Sequence, residues 1–143
     1  MAFVPACAAI EPEVGERLTA CIDTDSSPAT VSFKDQIRPL IDGRVPGPKP
    51  CANCHYHSKG TMEGLINTGF DIETLASLKK GGRNTFDDII VPGKPCESSL
   101  IQKIRGTYQS GGRMPKGGPY WTPEQVQLFM DWVAEGAKGA DAD

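Results

Sequence analysis

The chain has 143 residues, enough for one domain and not comfortably for two, and a formal net charge of -3. It has no extended basic run, which leaves nucleic-acid binding little support, and no stretch approaches the roughly 18–20 apolar residues of a membrane span. With 38% hydrophobic and 7% aromatic residues, 16 Gly and 12 Pro, the core is thin and the loops are many, so stability must draw on a cofactor, a metal or disulfides.

The first stretch, "MAFVPACAAIEPEVGER", has an apolar start but no basic n-region, and Glu11, Glu13 and Glu16 interrupt it, so it does not match an export signal. "LTAC" at Leu18 to Cys21 has the form of a lipoprotein cleavage box, but the residues before it are too acidic for a signal core. Residues 1–31 show no periodicity and are expected to form an arm. A domain over residues 32–138 and a short tail over 139–143 complete the expected organisation.

Regular structure is expected from "SFKDQIRPLID". Ser32 is placed to cap, Phe33, Ile37, Leu40 and Ile41 recur at helical spacing, and Pro39 predicts a kink or early stop. "DIETLASLKKGG" predicts a short helix capped by Asp71, with Ile72, Leu75 and Leu78 inward. "CESSLIQKIRG" predicts another, with Leu100, Ile101 and Ile104 inward. "GTYQSGGRMPKGGPYW" is a long Gly-rich loop. "TPEQVQLFMDWVAEGA" is the clearest helix: Thr122 caps, Pro123 sits at the first position, Gln125 completes a capping box, and Val126, Phe129, Met130 and Val133 share a face. No strand alternation and no repeat is present, and the fold class is all-α.

Between the first two helices lies "KPCANCHYH", Lys49 to His57. C-x-x-C-H has a physical rationale as a unit. Two thiols two residues apart on one helical turn reach the two vinyl groups on one haem edge, and the adjacent imidazole projects toward the iron. Cys51 and Cys54 would be the tethers and His55 the proximal ligand. The rival is zinc held by Cys51, Cys54, His55 or His57, and Cys96, but a usual site has two paired knuckles and Cys96 stands alone. Thiol redox chemistry expects an α/β context instead.

From Ser32 to Ala137 the sequence resembles the monohaem class I-like cytochrome c domains of the planctomycete type. "SFKDQIRPLID" looks like their leading helix and "CANCH" like their haem site. "GLINTGFDIETLASLKKGG" resembles their Gly-Leu stretch, short helix and Gly pair, and "IVPGKPCESSLIQKIRG" their Pro-Gly-x-Pro helix. "RMPKGGPYWTPEQVQLFMDWVAEGA" resembles their Met-Pro loop and closing Trp-containing helix. The resemblance implies a small class I cytochrome c-like bundle of short helices and long loops around one covalent haem c. Its first and last helices would cross beside the haem.

Four residues could supply the second axial ligand. Met130 lies on the apolar face of the last helix and Met62 follows the haem motif closely, so packing is expected of both; His57 is too near His55 to reach the opposite haem face. Met114 lies in a Gly-rich loop with polar flanks, stiffened by Pro115 and 59 residues beyond His55. The family's Met-Pro loop supplies the distal ligand, which adds to the case for Met114. His55/Met114 ligation is therefore expected.

The proximal imidazole needs an acceptor for its other N–H. The resemblance implies a Pro carbonyl soon after the motif, and "YHSKGTMEGLINTG" contains none. Arg113, Tyr120 and Trp121 flank the Met loop and are candidates for the haem propionates, with packing or surface roles equally good explanations. His57 is expected to face solvent or lie beside a propionate. Of the remaining cysteines, Cys7 and Cys21 are expected to bridge, with free thiols or a pairing that involves Cys96 as the alternatives.

Residues 34–116 carry 13 Lys or Arg against 8 Asp or Glu, whereas both flanks are acidic. A basic haem-bearing part could steer docking to an acidic redox partner, though a solvated surface offsetting two propionates explains it as well. The expected function is single-electron transfer between redox partner proteins by a non-enzymatic carrier, free-standing or a module of a larger oxidoreductase. Covalent haem attachment in bacteria implies a periplasmic or otherwise extracytoplasmic location, with the signal removed. The alternative is a haem-based sensor, gas-binding or peroxidase-like module with a labile distal ligand. The oligomeric state is left open.

Overall fold

The computed structural model describes residues 20–141. Six α-helices carry the fold: α1 (Arg38–Asp42), α2 (Ala52–His55), α3 (Glu63–Thr68), α4 (Leu75–Lys80), α5 (Ser99–Arg105) and α6 (Pro123–Ala134). One π turn, Phe33–Ile37, precedes α1, and 3-10 turns cover Phe86–Ile89 and Pro95–Glu97. The described residues contain no strand, in accord with the all-α expectation.

The leading segment starts where its cap predicts. The Ser32 hydroxyl accepts from the Asp35 N–H at 3.1 Å. Pro39 then falls in the first turn of α1, where a missing N–H leaves no bond unmade, and the winding irregularity lies just before it in the π turn. Gly43, at φ 77°, closes α1 in a left-handed conformation and donates to the Pro39 carbonyl.

The expected start of α4 is corrected. Thr74, not Asp71, is its cap: the Thr74 hydroxyl accepts from the Ser77 N–H at 3.0 Å and the Ser77 hydroxyl accepts from the Thr74 N–H at 3.1 Å. Asp71 instead accepts from the Glu73 N–H at 2.8 Å, an Asx turn that ends the preceding loop. On α6 the box formed by Thr122 and Gln125 is present as expected. The residues expected to face inward are buried: Leu75 and Leu78 on α4 with Ile72 just before it, then Leu100, Ile101 and Ile104, then Val126, Phe129, Met130 and Val133.

The core joins the two ends of the domain. Phe33 packs on Trp132 with ring centroids 5.2 Å apart, and Phe129 lies between Trp121 at 4.4 Å and Trp132 at 6.1 Å. Such pairs contribute about 0.5–1.5 kcal/mol each beyond their area.

The arm is pinned along α6. Ser26 donates from both N–H and hydroxyl to the buried Asp131 carboxylate, and the Val31 N–H donates to Glu135 at 2.8 Å. This course brings Cys21 to Cys96, and the two form a disulfide. Asp23 supports it by accepting from the Cys96 N–H at 2.7 Å. The expected Cys7–Cys21 bridge is thereby overturned, because Cys21 is already bonded; Cys7 itself lies outside the described residues. Short sequence separation suggested the first pairing, but the fold brings together two cysteines 75 residues apart. Beyond α6, Asp141 accepts from the Leu75 N–H at 2.7 Å, so the last described residue helps to satisfy the first turn of α4. No helix among the described residues is long and apolar enough to cross a membrane.

Candidate cofactor site

The C-x-x-C-H segment forms α2. Cys51 stands at its N-cap and its carbonyl accepts from the N–H groups of Cys54 and His55 at 3.1 and 3.0 Å. One tight turn therefore presents both cysteines and the histidine to the same cavity. The chain then wraps back, and the Thr61 N–H donates to the Asn53 carbonyl at 2.7 Å, bringing α3 beside α2.

That wrap sets the imidazole. Gly64, on α3, lies against the ring: a Cβ there would stand 2.5 Å from His55 Cε1 and 2.6 Å from Nε2. On the ring's other nitrogen, Nδ1 is 2.9 Å from the Phe70 carbonyl oxygen. A carbonyl only accepts, so Nδ1 carries the proton and Nε2 keeps its lone pair. Burial holds the His55 pKa below its ordinary value, against the opposing pull of the Phe70 bond and Asp71, and so favours the neutral imidazole. The neighbouring Ile72 N–H donates to the His55 carbonyl at 3.1 Å, which ties the residue down a second time.

The cavity has a volume of about 420 Å³, within the range of about 300–1,000 Å³ common for ligand sites. Ile72, Ile89, Leu100 and Ile104 give it apolar walls, and Cys51, Cys54, His55 and Met114 all line it. Burial pushes the Cys51 thiol up to about 12, so it is protonated at neutral pH and unsuited to thiol–disulfide exchange. Met114 is half-buried. Its N–H donates to the Lys103 carbonyl at the end of α5 at 3.0 Å, and the Arg113 Nε–H donates to the Ile104 carbonyl at 2.9 Å.

The other candidates separate. Met130 is buried in the core, as its helical face predicts, and is not among the cavity-lining residues. Met62 is 36% exposed at the start of α3 rather than packed, because it occupies a left-handed position at the turn. His57 is exposed, with Nε2 3.6 Å from an Asp71 carboxylate oxygen. Arg113 stacks over the Tyr120 ring at 4.4 Å, and Trp121 is buried against Phe129. None of these three side chains lines the cavity. The Trp121 indole N–H is buried without a partner among the described residues. No group of three or more metal-binding side chains exists among the described residues, and Cys96 is in a disulfide, so the four-ligand zinc alternative has no support.

Two features escaped the sequence. The Phe70 carbonyl that orients His55 is a backbone atom and carries no residue signature. Gly64 had a visible signal, the Gly-Leu pair after the motif, but its contact with the ring depends on the wrap of α3.

The geometry agrees with an independent comparison. Residues 51–118 match the family model described as Planctomycete cytochrome C. This likeness supports a cytochrome c-type family for the matched region. The match begins at the first tether, Cys51, and runs just past Met114, so it spans α2 to α5 and the Met-Pro loop. No curated protein and no solved structure matches. That family suggests an electron carrier with covalently bound haem c, and its members are typically extracytoplasmic.

The residues at this cavity fit a covalent haem c. Two thiols and an imidazole of fixed tautomer stand at one cavity, the walls are apolar, and a thioether lies within the same space. Nothing larger than glycine fits at Gly64 without displacing the ring.

Proposed function

We propose that this protein is a monohaem c-type cytochrome that passes single electrons between redox partner proteins outside the cytoplasm. One observation carries the reading: Cys51, Cys54, His55 and Met114 line a single cavity. Bound there, haem c supplies a one-electron Fe(III)/Fe(II) couple. Cys51 and Cys54 hold it through thioethers, and His55 Nε2 is the proximal donor. Met114 would supply a thioether sulfur, a softer donor than a second imidazole, which favours the reduced state. Ligation by both His55 and Met114 would leave the iron without a free place for a substrate, which suits a carrier.

The class I arrangement, in which first and last helices cross beside the haem, is supported by the contact of Phe33 with Trp132. An extracytoplasmic location is supported by the Cys21–Cys96 disulfide, since such bonds persist in oxidising compartments. Lys49, Lys103 and Lys116 at the cavity favour an acidic partner. A redox titration with a reduced-state spectrum tests the proposal. A c-type spectrum with one haem per chain and a sulfur-to-iron band in the near infrared is expected. Fast, complete binding of carbon monoxide to the reduced protein near neutral pH would instead favour a sensor with a labile ligand.

A further inference from the structure

We infer that Arg38, on α1 and outside the haem motif, is a positioning residue that sets the strength of the His55 Nδ1–H···O=C bond and thereby the reduction potential. The inference rests on His55 as the proximal ligand. Arg38 reaches both sides of that histidine. Its Nη1 donates to the Tyr56 hydroxyl at 2.9 Å, the residue next to His55, and to the Ile72 carbonyl at 3.1 Å. Ile72 belongs to the segment that holds His55 twice, by the Phe70 carbonyl on Nδ1 and by the Ile72 N–H on the His55 carbonyl. One guanidinium thus fixes the spacing between α2 and the segment 70–72.

The clamp is itself clamped. Arg38 Nη2 donates to Asp141 at 2.5 Å, the Tyr56 hydroxyl donates to Asp42, and the Phe33 ring lies 4.8 Å below the guanidinium. Arg38 and Tyr56 are largely buried, with 11% of the Arg38 side chain exposed and 4% of Tyr56. Charged groups are rarely this buried without a geometric task, and a planar fork holding several acceptors in one orientation performs one that an ammonium cannot. The surroundings already supply two carboxylates, so charge neutralisation alone does not require contact with the Ile72 carbonyl.

The direction of the effect follows from ligand basicity. A firm Nδ1–H···O=C bond makes the imidazole more electron-rich and stabilises Fe(III). Loosening segment 70–72 weakens that bond and raises the potential. Arg38→Lys keeps the charge and removes the fork, which separates positioning from electrostatics.

The experiment uses the ¹⁵N-labelled reduced holoprotein. In Arg38→Lys the midpoint potential moves upward, and the His55 Nδ1–H and Ile72 N–H exchange with solvent roughly tenfold faster, the scale expected when an ordering hydrogen bond is lost. Amides in α6 keep their rates. Tyr56→Phe removes one arm of the clamp and shifts the same readouts in the same direction by less; it carries the test alone if Arg38→Lys fails to fold. Unchanged potential and exchange in folded variants overturn the inference, and so does a downward shift of the potential. If the wild-type protein shows no c-type spectrum, the haem assignment has failed instead, and no Arg38 variant can imitate that result.

Discussion

The Nδ1 of His55 lies 2.9 Å from the Phe70 carbonyl oxygen, while Gly64 covers the ring so closely that even one methyl would meet Nε2. Together they fix the tautomer, the tilt and the exposed lone pair of a single imidazole.

Gly64→Ala tests that fit. Gly64 is in α3, where alanine is otherwise favoured by about 1 kcal/mol, so helix propensity alone predicts a gain. Contact with the ring predicts the reverse, a net loss of about 1–3 kcal/mol from overpacking together with a disturbed reduced spectrum. Urea unfolding and visible spectroscopy decide between them, and a more stable variant with an unaltered spectrum would show that the ring has room.

Met114→Ala and Met130→Ala should fail in opposite ways. Without Met114 the near-infrared sulfur-to-iron band disappears, the potential falls and carbon monoxide binds the reduced protein, with little loss of stability because the side chain is only half-buried. Without Met130 the band survives and stability drops by about 2–5 kcal/mol, the usual cost of emptying a core position. A surviving band in the Met114 variant removes that residue from the ligand set.

How far the sequence could be followed depended on the range of each interaction. The motif at Cys51, Cys54 and His55 is local, so spacing alone expressed its geometry, and α6 declared itself through a capping box and an apolar face. Met114 stood out because a thioether among glycines has no packing task, and it does line the same cavity as His55. Interactions that close over long separations were invisible. The Cys21–Cys96 pairing depends on an arm that runs along α6. Helix α3 gives too little periodicity in six residues to be read from sequence, and Asp71 and Thr74 are both capping residue types between which only the turn geometry chooses.

The disulfide should be detectable directly. Alkylation without reduction, followed by proteolysis and mass spectrometry, is expected to recover a linked Cys21–Cys96 peptide. Breaking that link by Cys96→Ser releases a loop of 75 residues and should cost up to about 4 kcal/mol on the loop-entropy scale. A linked Cys7–Cys21 peptide would contradict the structure.

Alkaline pH should reveal Tyr56. Burial, and then its bond to Asp42, raise the phenol pKa above the ordinary 10.0. The folded state therefore holds this proton when the unfolded chain has lost it. The contribution is full below about pH 10 and declines as pH rises further. The stability difference between wild type and Tyr56→Phe should shrink as pH rises above about 10 in urea titrations, since the variant has no phenol to ionise. A constant difference across that window would place Tyr56 in a wetter setting than described.

The loop that carries Met114 is fastened to α5 by two bonds, from the Met114 N–H to the Lys103 carbonyl and from Arg113 to the Ile104 carbonyl. The imidazole opposite it in the proposed ligation is fastened as firmly to segment 70–72. A change of iron charge would then move few nuclei. On the proposed function such a site would have a low reorganisation energy, and its rate of electron exchange would be governed by how near a partner brings its own centre, not by any motion within this chain.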